Sequence, residues 1–193
     1  MAVILVRCDP AHHAQRPAPP RLPARWHYSA CFEAADLREI DVVGLLLGVI
    51  ATVPGAHFHL RGIGTVVSEL IANAVDHGVL GLASTDKDGH GGLERYFERR
   101  AEALERLADG SIAVELELQS RGGRPLLEMR VRDSGRGFRL PAVPAAGAQA
   151  RHGRGLALLR SLCAYVEFGA GGNEVRVGFA LDDPPPAAER AAA

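Results

Sequence analysis

The sequence predicts an α+β fold, a two-layer sandwich with helices packed on one face of a mixed, largely antiparallel sheet. Two patterns predict it. Apolar residues recur every three or four positions from Ile63 to Val75, and they alternate strictly with wetter ones from Ile112 to Gln119. The segments follow in the order helices, paired strands, helix, strands, which is the order of helices segregated to one side of a sheet.

Residues 27–33 read as a short strand and 35–52 as a helix that Pro54 and Gly55 terminate. A second helix spans about 60–77. Its stripe of Ile63, Val66, Val67, Leu70, Ile71, Ala74 and Val75 faces a core, and Gly78 is its expected C-cap. Residues 93–108 form a strongly charged helix with Leu93, Phe97, Leu104 and Leu107 as a sparse apolar side, stopped by Asp109 and Gly110. Two strands, 112–119 and 126–132, are joined by the turn-forming RGGRP. A proline- and alanine-rich loop over 139–150 precedes a helix over 156–163 and strands at 165–168 and 174–181.

The chain has 193 residues, enough for one domain with tails, and its 47% hydrophobic and 23% charged residues are ordinary for a globular protein. Residues 1–26 and 182–193 are rich in proline and poor in large apolar groups, so they are expected to be a disordered tail or linker and a disordered tail around a domain at 27–181. The net charge of −1 provides no bulk attraction to nucleic acid or anionic lipid, and neither partner is expected. Lys87 is the single lysine among 22 basic residues, but the arginines are dispersed and matched by acids. Cys8, Cys31 and Cys163 are odd in number and widely spaced, which reads as reduced thiols in a cytoplasmic protein. The longest apolar stretch, 42–53, falls short of the ~18 residues that span a membrane.

Three groups of residues carry chemistry. Glu69 and Asn73 stand four apart, on the helix face opposite the apolar stripe, with Asp76 and His77 one turn further along. A carboxylate and an amide converging on a pocket suit a hydrated magnesium ion, while a solvated helix face is the plainer alternative for that pair. The second group is VRDSGRGF, residues 131–138: Asp133 at a strand end accepts hydrogen bonds, and Gly135 and Gly137 permit a tight turn with exposed backbone amides before Phe138. The third is His152, Gly153, Arg154, Gly155 and Leu156 at a helix start, where unpaired amides favour phosphate. Each alone is a weak signal, and none has the P-loop or Rossmann spacing.

In their order and spacing, Glu69-x-x-x-Asn73, Asp133-x-Gly135-x-Gly137 and Gly153-x-Gly155 resemble the ATPase family shared by gyrase, the Hsp90 chaperones, histidine kinases and the mismatch-repair protein MutL. The resemblance covers about residues 28–181 and implies that family's Bergerat ATP-binding fold. The wording SELIANAVDHG, VRDSGRGF and GRGLALLRSLC is most similar to bacterial anti-sigma-factor serine/threonine kinases and to the kinase domains appended to response-regulator phosphatases.

That resemblance implies ATP and Mg2+ as cofactors. Asn73 would ligate the metal that bridges the phosphates, Glu69 would be the general base toward a serine hydroxyl, and Asp133 would bind the adenine amine. Gly135, Gly137 and Phe138 would shape the adenine side. Gly153, Arg154, Gly155 and Leu156 would close on the phosphates below a lid at 139–152, with Asp76 and His77 beside the pocket. The family often has a Gly-Thr pair before the last strand, where this chain has Gly172 and Asn173, and an asparagine could keep the hydrogen bond of that threonine. The implied partners are a small serine-containing anti-sigma-factor antagonist, a sigma factor and a second copy of the chain. Two other readings remain: a non-catalytic ATP-sensing module, and the catalytic domain of a sensor histidine kinase, for which the histidines are poorly placed.

Overall fold

A computed structural model describes residues 26–83, 92–137 and 154–182. Nearly all of the two expected tails, the lid at 139–152, Phe138 and Gly153 lie outside the described residues, as does the side chain of Arg154.

The chain opens with β1 (Trp26–Glu33), followed by α1 (Ala34–Glu39) and α2 (Val42–Ile50). The single helix expected at 35–52 is therefore two. The break is local: Asp41 caps α2 by accepting from the Gly44 amide at 3.0 Å, which holds residue 41 outside helical geometry.

After a short 3-10 turn come α3 (Leu60–Ala72) and a seven-residue π-helical turn, Asn73–Val79. All seven residues of the predicted stripe are buried, from Ile63 to Val75. Each large aliphatic among them contributes roughly 1.5–3 kcal/mol by leaving water. The widened turn is seen in the Leu80 amide, which bonds the Val75 carbonyl at 2.8 Å, five residues back. Gly78 is not the C-cap; it lies inside this turn.

The charged helix α4 (Gly92–Glu105) precedes β2 (Ser111–Arg121) and β3 (Arg124–Asp133). Its inward side differs from the expected one. Leu93 and Phe97 are 56% and 57% exposed, whereas Tyr96 is 1% exposed, with Leu104 and Leu107 packed at the edge of the core.

Then come α5 (Arg154–Leu162), β4 (Tyr165–Phe168) and β5 (Glu174–Ala180). The strands lie in the order β1-β2-β3-β5-β4, and every pair is antiparallel, so the sheet is not mixed among the described residues. Ile112, Val114, Leu116 and Leu118 of β2, with Leu127, Met129 and Val131 of β3, face the helical layer and close the core. The opposite face carries polar networks. Glu128, 5% exposed on the central strand, accepts from Arg176 at 2.6 Å and from the Tyr165 hydroxyl.

Candidate nucleotide site

α3 brings Glu69, and the start of the π-helical turn brings Asn73, to the edge of the helical layer, both half-buried. Asn73 Nδ2 donates to Glu69 Oε1 at 2.9 Å. The amide is thereby oriented with its oxygen turned away from the carboxylate, as an acceptor that a cation can use.

β3 ends on Asp133, whose carboxylate folds back to accept from the Gly135 amide at 2.9 Å. That amide is therefore satisfied within the turn, contrary to the expectation of exposed amides there. Burial raises the Asp133 carboxyl above its usual value, and the Gly135 amide partly offsets this.

Three glycines are required here by close approach. A Cβ at Gly78 would overlap the Asp133 carboxyl, and one at Gly135 would overlap the Gly78 carbonyl. Gly137, at φ 72°, abuts the Gly171 carbonyl of the β4–β5 turn. The π-helical turn and the end of β3 thus meet backbone to backbone.

Asn173 fixes the strand end from the other side. The Asp133 amide donates to the Asn173 carbonyl at 3.0 Å, and Asn173 Nδ2 donates to the Asp133 carbonyl at 3.1 Å. Both backbone groups of Asp133 are held by the residue that stands where a threonine was expected. Ser134 adds a similar clamp on Ser111, with bonds of 2.9 and 3.0 Å.

At the third corner α5 opens at Arg154, two residues earlier than expected. Its first turn presents Gly155 to Glu69, so closely that a Cβ there would overlap Glu69 Oε1. Leu156 is half-buried in the same turn. Glu69, Asn73 and Gly155 are therefore one cluster, while Asp133, Gly78 and Gly135 form a second at the other end of the π-helical turn.

A family model described as the histidine kinase-like ATPase domain matches residues 57–179. The chain belongs to that family. The comparison with curated proteins gives no match.

As a histidine kinase-like ATPase domain it takes ATP, and the residues present fit that ligand. Asp133 offers a carboxylate acceptor in a partly desolvated cleft to an exocyclic amine, and the α5 N-terminus offers backbone amides to phosphate. Among the described residues no group of three His, Cys, Asp or Glu is arranged to hold a metal. A divalent ion at Asn73 would accordingly take most of its oxygens from phosphate and water, as magnesium does.

Two expected pocket residues are engaged elsewhere. Asp76 is 5% exposed and accepts from the Tyr96 hydroxyl at 2.8 Å and from Arg100 Nε at 2.6 Å. It anchors α4 to the π-helical turn. His77 donates from Nδ1 to the Leu82 carbonyl at 2.6 Å, closing the segment that follows. The sequence does not reveal the contact of Gly78 with Asp133 or the seating of Tyr96 on Asp76. Only Gly78 left a readable signal there, as the glycine closing the motif SELIANAVDHG.

No helix among the described residues is long and apolar enough to cross a membrane.

Proposed function

We propose that the chain is an ATP- and Mg2+-dependent protein serine/threonine kinase of the anti-sigma-factor type, acting on a small antagonist protein and controlling a sigma factor by partner switching. The observation that carries this reading is the position of Glu69: its carboxylate is oriented by Asn73 at 2.9 Å and lies against the first turn of α5. A carboxylate beside the phosphate-binding turn suits a general base for a hydroxyl.

In this reading the serine Oγ attacks the γ-phosphorus, the bond from that phosphorus to the bridging oxygen breaks, ADP leaves, and the serine proton passes to Glu69. Asn73 would hold a magnesium ion through its amide oxygen, and the ion would supply neutralisation of phosphate charge. The chain acts in the cytoplasm, as a pair of copies.

The test is transfer of the labelled γ-phosphate of ATP to a serine-bearing antagonist. Glu69→Gln is expected to lower transfer by about 10²–10⁴-fold while ATP still binds. Undiminished transfer contradicts the base assignment, and a parent protein that binds ATP without any transfer is an ATP-sensing module instead.

A further inference from the structure

Glu69 borders two spaces. Toward Asn73 and Gly155 lies the nucleotide side. Away from them an open groove of about 630 Å³ runs along α3, with Leu158 of α5 as its second wall. On the α3 wall Arg61, Thr65, Ser68 and Ala72 follow at three- and four-residue spacing, so they form one continuous stripe beside Glu69.

From this groove we infer that an extended, hydroxyl-bearing segment of the protein substrate docks along α3, with its acceptor side chain at Glu69 and an acidic side chain at Arg61. The inference rests on the phosphotransfer reading and names the substrate feature which that site selects.

An acceptor oxygen must approach the γ-phosphorus from the side opposite the leaving group, with a base at hand. Glu69 touches the phosphate-binding turn on one side and lines the groove on the other, so the groove is the approach that brings a hydroxyl to the carboxylate. In the transfer, an oxygen–phosphorus bond forms to the acceptor, the bond to ADP breaks, and Glu69 takes the acceptor proton.

The groove fits a backbone. Gly64 and Ala72 leave room for close approach, and the hydroxyl residues Thr65 and Ser68 lie between the two ends. Leu158, 38% exposed, provides one apolar contact.

Charge sets the specificity. Among the described residues the groove lining carries two formal charges, Glu69 and Arg61. With Glu69 given to the acceptor hydroxyl, Arg61 is the cation left among the described lining residues, and it complements a carboxylate. Eight helical positions separate the two, about 12 Å at 1.5 Å per residue. An extended segment covers that span in about three or four residues.

The test offers the full chain, with ATP and Mg2+, a set of synthetic serine peptides in which one aspartate is moved stepwise along either side of the serine. An aspartate three or four residues from the serine is expected to raise kcat/KM about threefold to fivefold, the effect of a surface ion pair, mostly through KM. Arg61→Glu should abolish that preference and favour lysine at the same offset, with ATP affinity unchanged. Transfer indifferent to aspartate position, or a preference that survives Arg61→Glu, overturns the groove assignment. No transfer to any peptide by a protein that phosphorylates the intact antagonist overturns the groove assignment, and no transfer to peptide or antagonist by a protein that binds ATP overturns the kinase reading and the inference with it.

Discussion

The Glu69 carboxylate and the Gly155 backbone are in direct contact, and no side chain fits between them. Two sequence motifs 86 positions apart are thereby fitted to each other where the phosphates would lie. Gly155→Ala must displace either the carboxylate or the first turn of α5. ATP affinity measured by calorimetry is expected to fall at least about tenfold, equivalent to about 1.4 kcal/mol. Adding Glu69→Ala removes the overlapping atoms and should recover part of that loss; an affinity untouched by Gly155→Ala would refute the contact.

Tyr96 and Asp76 form a buried polar pair that ties α4 to the π-helical turn. Tyr96→Phe removes the donor to Asp76 Oδ2 and leaves the bond from Arg100 to Oδ1 in place. Denaturant unfolding should show a loss of about 1–3 kcal/mol, the cost of an unsatisfied buried group. A neutral result would mean that water replaces the hydroxyl and that α4 is held by other contacts.

Asp133 makes stability and function diverge. Its folded-state carboxyl is raised above 3.8 because burial penalises the charge. The stability tied to that shift is therefore fully present below pH 3.8 and lost as pH rises through the raised value. Asp133→Asn keeps an acceptor for the Gly135 amide and removes the penalty. At pH 7 the variant should unfold at the same or higher temperature than the parent, yet bind ATP at least about tenfold more weakly.

Glu128 behaves with the opposite sign. Burial alone would raise its carboxyl, but hydrogen bonds from Arg176 and Tyr165 hold it below the usual 4.5, while the same burial and pairing push the Tyr165 hydroxyl up to about 12. The carboxylate's contribution is thus present above pH 4.5 and lost as pH falls through the lower folded value. Glu128→Gln should flatten the acid limb of a stability-against-pH curve. An unchanged limb would show that other carboxylates govern acid unfolding.

What was legible in the sequence was whatever depends on local periodicity. The stripe from Ile63 to Val75 and the alternation from Ile112 to Leu118 are properties of consecutive residues, and both stripes are buried. What was not legible depends on a single polar partner far along the chain. The apolar members of residues 93–108 suggest one inward side, but α4 is seated by Tyr96 and Arg100 on Asp76, which no hydrophobic pattern reveals. The position of Gly78 at a helix end suggests a cap, whereas its small size serves Asp133, 55 positions away. The break at Ile40 and Asp41 turns on one capping carboxylate at the head of the apolar run 42–50. In the candidate site Glu69, Asn73, Gly155 and Asp133 were named from motif spacing; their division into two clusters across the π-helical turn needed the fold.

The most direct measurement is a calorimetric titration of the protein with ATP in the presence of Mg2+, set beside Asn73→Ala. Saturable binding by the parent that falls at least about a hundredfold in the variant, with Mg2+ dependence lost as well, is the predicted result. Equal binding by both proteins would contradict the placement of the metal-bridged phosphates at Asn73.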